Sequence, residues 1–123
     1  MAAAPPQPDD LGTPFQPKRH TPEAILCGDF NMAPSDPAYA LIGEPFAPMP
    51  GAKALRLQDA WHVAYGAQPH APTFRLFDRR YGPEPVACDF VFLSDGLVPR
   101  LRRIEVDLAT QASDHQPVLV ELG

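Results

Sequence analysis

The chain has 123 residues, 45% of them apolar, and a formal net charge of −5, which suits one globular domain with a modest core. No apolar run reaches the roughly 18 residues of a membrane span, and Met1 to Ala4 lead into prolines rather than into the basic start and apolar core of a signal peptide. The acidic balance argues against a basic nucleic-acid-binding surface over the whole chain, and cytoplasmic residence is the default.

Residues 1–22 are crowded with prolines and poor in apolar side chains. Prolines block regular hydrogen bonding, so an arm that is flexible or extended is expected there, and the domain proper spans 23–123. His20 lies in the arm and reads as a solvated histidine. "AILC" at 24–27 is short and apolar, as a buried strand would be. Gly28 opens a loop, and Asp36 followed by Pro37 predicts a capped helix over 37–42 that Gly43 stops. Residues 44–53 read as irregular. "LQDAWHVAYG" at 57–66 predicts a helix or turn ending at Gly66, and "TFRLF" at 73–77 alternates as a strand would.

"VACDFVFL" at 86–93 is the second strong strand. Val86, Cys88, Phe90 and Phe92 share one face; Ala87, Asp89, Val91 and Leu93 share the other. Further strands are expected at 101–106 and 117–122, with a polar loop between them. Cys27 and Cys88 both sit in apolar runs and are expected to be buried free thiols. Arg79, Arg80, Arg100, Arg102 and Arg103 read as solvated faces as readily as binding groups. The expected fold class is α/β, mainly antiparallel β-sheet with short helices.

Five positions carry the chemistry. Asp29 and Asn31 stand where a strand becomes a loop. They either point the same way or cap a turn through their own backbone. Asp89 interrupts an apolar strand, and a buried carboxylate is costly unless paired or metal-bound. An imidazole is the natural partner, and "SDHQPV" at 113–118 offers one in His115. Asp114 beside it diverges from His115, so one can hold a metal while the other faces Asp89. Carboxylates without a cysteine–histidine cluster suit a hard ion such as Mg²⁺ or Mn²⁺.

In order and spelling, "ILCGDFN", "LQDAW", "TF", "CDFVFLS" and "SDHQPV" resemble the carboxyl-terminal half of the endonuclease/exonuclease/phosphatase superfamily, the DNase-I-like proteins. The resemblance runs from about residue 23 to 122, and the GDFN and SDH pair carries most of its specificity. It implies one half of a four-layered α/β sandwich and divalent-metal-dependent hydrolysis of a phosphoester, nucleic acid among the candidate substrates. It also implies roles: Asp29 for the attacking water and the metal, Asn31 for a phosphate oxygen, Asp114 for the metal. His115 would contact the scissile phosphate, with Asp89 behind it. Thr73 and Phe74 match the "TF" near the family site and read as packing groups, as Trp61 does in "DAW". "ACDF" replaces the Arg-Ile pair that often precedes the Asp-aromatic strand.

The family's first half supplies a metal-binding Glu, an early Asn and a "THL"-like segment. The arm before Ala24 has no place for them, and neither Glu23 nor His20 fits the pattern. Weak ion affinity and an exposed inner sheet face are the expected consequences. The alternatives are a non-catalytic binding or assembly module, and a half-site completed by another chain or a second copy.

Overall fold

The computed structural model describes residues 22–47 and 49–123. The arm expected over 1–22, His20 included, therefore lies outside the described residues except for Pro22. Among the described residues five strands form two antiparallel sheets, joined by two short helices. The order is β1 (Ile25–Asp29), α1 (Pro37–Ile42), β2 (Leu57–Asp59), α2 (Ala60–Tyr65), β3 (Asp89–Ser94), β4 (Leu101–Val106) and β5 (Val118–Leu122). The larger sheet runs β1-β3-β2, and β4 pairs with β5 alone. This is the α/β fold with antiparallel sheets and short helices that the sequence predicts.

The helix caps follow from local chemistry. Asp36 accepts a hydrogen bond from the Ala38 N–H, Pro37 opens α1, and Gly43 closes it. Asp59 does the same for α2 by accepting from the Trp61 N–H at 2.9 Å. The segment 57–66 is thus not one helix or turn. Leu57–Asp59 pairs with Phe92–Ser94 as a strand, and the helix begins only where Asp59 caps it.

Strand β3 is the centre of the molecule, and apolar residues cover both of its faces. Phe90 and Phe92 pack with Leu57 and Ala87 against Phe30, Tyr39, Ile42 and Leu55. On the other side Leu93 packs with Trp61, Leu97 and Ile104, and the β4–β5 pair adds Val106, Val118 and Val120. The expectation of an uncovered inner face on this strand is therefore corrected: Phe90 and Leu93 are both buried.

What lies open is β1. All five of its residues are exposed, with Ile25 at 52% and Leu26 at 41%. The segment 24–27 is an edge strand rather than a buried one, because β3 pairs with one side only and neither core cluster reaches its side chains. Cys27 is exposed for the same reason, contrary to the sequence reading, whereas Cys88 is buried. Burial, then the charge of Asp89, pushes the Cys88 thiol up to about 12. Native protein is expected to be alkylated at Cys27 alone, with Cys88 reacting only after unfolding. Mass spectrometry of the labelled peptides checks this.

The segment 73–77 is not a strand. Phe74 alone bridges to Val86 and His115, and Arg75 then takes φ +65°, which turns the chain away. Strand β3 likewise begins at Asp89 rather than at Val86, whose backbone is engaged by Phe74.

Candidate active site

The antiparallel register sets Asp29, the last residue of β1, directly opposite Asp89, the first of β3. Cross-strand partners share a face, so two carboxylates point the same way at one end of the sheet, an arrangement that repels. His115 lies between them. Its Nδ1 is 2.8 Å from Asp89 Oδ2, and its Nε2 is 3.8 Å from Asp29 Oδ2. Asp89 offers only acceptor oxygens when ionised, so Nδ1–H donates and Nε2 faces outward.

The ring is held from its face as well as its edge. Phe74 stacks on His115 at 4.5 Å between centroids. Phe74 also bridges to His115 through the backbone, which carries the loop before β5 to this end of the sheet.

Asp89 is itself fixed. Its Oδ2 accepts from the Thr73 hydroxyl at 2.7 Å and from the Cys88 thiol at 3.5 Å as well as from His115. The Thr73 oxygen in turn accepts from the Cys88 and Asp89 backbone N–H groups, at 3.1 and 3.2 Å. Thr73 is fully buried. Sequence reasoning gave Thr73 and Phe74 packing roles only. The "TF" spelling was the available signal, but it says nothing of which way either side chain points.

The hydrogen bond from His115 to Asp89 raises the pKa of His115. Burial opposes this, and the charges of Asp89, Asp29 and Asp114 add to it. The imidazolium form is therefore favoured beyond the ordinary histidine range. A raised folded value contributes stability that is fully present below the unfolded pKa near 6.5 and is lost as pH rises through the folded pKa. We expect the urea midpoint of metal-free protein to fall as pH rises above about 6.5, and His115→Asn to flatten that slope. Because the His115 side chain is 32% exposed, the contribution is under about 1 kcal/mol.

The other oxygen of Asp29 is engaged locally. Oδ1 accepts from the Asn31 N–H at 2.8 Å, and Asn31 takes φ +54°, a conformation asparagine tolerates. The turn and the site are thus one structure rather than alternatives. The Asn31 side chain is exposed at the rim. Asp114 is exposed too; its charge acts on His115 and on Arg80, and it lines a cleft of about 350 Å³ beside the site. The structure brings Asp29, Asp89 and His115 into contact and places Asn31 and Asp114 around them. Glu23 is not among them: it accepts from the Ser94 hydroxyl at the far end of β3.

Two donor sets bear on metal binding. Cys88, Asp89 and His115 offer ligand atoms within 4.8 Å of one another. That set mismatches a hard cation, because its thiol is held protonated and Asp89 Oδ2 already accepts three hydrogen bonds. Asp29 and Asp114 present exposed carboxylates whose charges converge on His115, and all-oxygen donors suit Mg²⁺ or Mn²⁺.

Among the described residues no helix is long and apolar enough to cross a membrane. No match was found among curated proteins or among solved structures. A model of the endonuclease/exonuclease/phosphatase family matches residues 5–115, reaching back across the segment before β1. With 111 of the 123 residues matched, the chain belongs to the endonuclease/exonuclease/phosphatase family, whose chemistry is phosphoester hydrolysis.

Proposed function

We propose that this chain hydrolyses a phosphodiester with the help of a divalent cation, Mg²⁺ or Mn²⁺. The observation that carries the reading is His115 suspended between Asp89 and Asp29. Asp29 accepts a proton from the attacking water. The water oxygen bonds to phosphorus, and the ester P–O bond breaks with its electron pair on the leaving oxygen, which takes a proton from solvent. The His115 imidazolium donates from Nε2 to a phosphate oxygen as negative charge develops there. Asn31 donates its side-chain amide to the same phosphate. Asp89, accepting from Nδ1–H, holds the ring in its orientation and favours its charged form. Asp29 and Asp114 would hold the cation, which when bound supplies positive charge against the phosphate.

The test is hydrolysis of a chromogenic phosphodiester by the pure protein with Mg²⁺ or Mn²⁺. EDTA is expected to abolish turnover, and Asp114→Ala to lower it about tenfold or more. An inactive wild type, or an Asp114→Ala variant with unchanged metal dependence, defeats the reading.

Exposed Ile25 and Leu26 on β1 favour a second reading, in which this edge assembles with another chain or a second copy. Sedimentation measures it: a monomer at all concentrations without turnover removes the self-completed half-site.

A further inference from the structure

Strand β4 ends at Val106 and β5 begins at Val118, and these two residues pair across the sheet. A hairpin connection usually takes about two to five residues. Here the whole segment 107–117 lies between them, and Asp114 and His115 sit near its end.

Apolar packing does not hold this loop. None of its residues belongs to either core cluster, and Leu108 is exposed. Short-range bonds shape it piece by piece. Asp107 Oδ1 accepts from the Ala109 and Thr110 N–H groups at 2.9 and 3.2 Å. Thr110 Oγ1 accepts from the Ala112 N–H at 3.3 Å, and Ser113 Oγ from the His115 N–H at 3.2 Å. Each of these joins residues two or three apart, so none ties one end of the loop to the other.

Gln116 does. It is 4% exposed and is the buried residue of the segment. Its Nε2 donates to the Asp107 carbonyl at 2.7 Å and to the Thr110 carbonyl at 2.9 Å. Both amide hydrogens therefore draw the start and the middle of the loop onto its end. The Asp107 N–H donates to the Pro117 carbonyl at 3.0 Å and closes the mouth. The Gln116 N–H donates to the Thr73 carbonyl at 2.7 Å, and the Thr73 hydroxyl supports Asp89. The result is a compact loop filled by one of its own side chains and moored to the site.

The two residues before Gln116 depend on this hold unequally. His115 has Asp89 at its edge and Phe74 on its face. Asp114 is exposed, and among the described residues no hydrogen bond or ion pair fixes its carboxylate. The region that carboxylate can reach is set by the path of the backbone, and Gln116 sets the path.

We propose that Gln116 is a positioning residue for the cation: its buried amide fixes the loop from which Asp114 binds the ion. This rests on the reading above in which Asp29 and Asp114 hold Mg²⁺ or Mn²⁺. A carboxylate already in place loses less freedom when the ion arrives. Groups that hold metal ligands from behind are commonly worth about 10- to 100-fold in affinity.

The experiment titrates Mn²⁺ alone into the metal-free full chain, without substrate, and measures the free ion by electron paramagnetic resonance. Gln116→Met keeps the length of the side chain and loses both donors; it is expected to weaken Mn²⁺ binding about tenfold or more. Gln116→Asn keeps the amide on a shorter stem. It is expected to fall between the two, and it replaces the Met variant if that one does not fold. Asp114→Ala is expected to weaken binding as well, and Gln116→Met added to it to cost nothing further, because one acts through the other. A loss that a general structural defect caused would add in full. Unchanged affinity in the folded Gln116 variant, a full further loss in the double variant, or a wild type that binds no Mn²⁺ overturns the proposal. A wild type that binds Mn²⁺ with this dependence on Gln116 and hydrolyses no phosphodiester defeats the catalytic reading alone.

Discussion

Replacing His115 by Asn is expected to lower phosphodiester hydrolysis by about 10² to 10⁴-fold, the range for a positioned proton donor or charged hydrogen-bond donor at a reacting centre. The folded state should survive, because the ring is at the rim, 32% exposed, and closes no core cluster. Its loss leaves Asp29 and Asp89 facing each other, which costs the site its cation as well as its donor. Asp89→Asn separates the two effects. Asp89 touches no substrate in this scheme and acts through His115, so it is a positioning residue. The hydrogen bond from His115 to Asp89 is the largest cause of the raised imidazole pKa. In Asp89→Asn the basic limb of the pH–rate profile should therefore move to lower pH, which a purely structural defect would not do. A His115→Asn variant within about tenfold of the wild-type rate would exclude the imidazole from the chemistry.

Phe90→Ala should be the most destabilising single truncation of the core, costing about 3 to 5 kcal/mol. Phe90 is 1% exposed on the central strand. Its ring lies 5.6 Å from Phe30, 5.1 Å from Tyr39, 5.3 Å from His70 and 6.1 Å from Phe92. Truncation leaves a cavity that four aromatic neighbours cannot close. Domains of this size hold only about 5 to 15 kcal/mol in total, so Phe90→Leu is the companion variant that stays folded if Ala does not. Ile25→Ala on exposed β1 is the contrast and should cost under about 1 kcal/mol. Urea unfolding of the three variants measures the difference. If Phe90→Ala costs no more than Ile25→Ala, the assignment of the core to β3 is wrong.

The same contrast separates what is legible in the linear chain from what is not. Asp36, Pro37 and Gly43 bound α1 through bonds within a few residues, and such chemistry is visible in a run of neighbours. So is the anomaly of Asp89 in an apolar run. A carboxylate in that setting needs a partner, and the sequence holds a histidine at the mouth of the last strand. The exposed state of β1 is not legible, because "AILC" has the composition of a buried strand whichever neighbours it finds. Burial belongs to the neighbours: β3 pairs with one edge, and no core cluster covers the faces.

Thr73 and Phe74 mark the same boundary within the site. A threonine and a phenylalanine ahead of a turn look like packing. Sixteen residues separate Thr73 from the carboxylate it supports, and that contact exists only once the chain brings the two together. The loop of Arg75 to Gly82 is similar: its three nearby arginines look alike in sequence, and only the fold sets Arg75 and Arg79 on backbone carbonyls and Arg80 on the Asp78 carboxylate.

By itself the sequence determined the strands and helices whose signals are local, the family spelling, and the residue types able to hydrolyse a phosphoester. Tertiary structure alone decided which of those residues meet and which strand lies open. Side-chain direction and burial are set by pairing register and long-range packing, and neither is encoded in a window of adjacent residues.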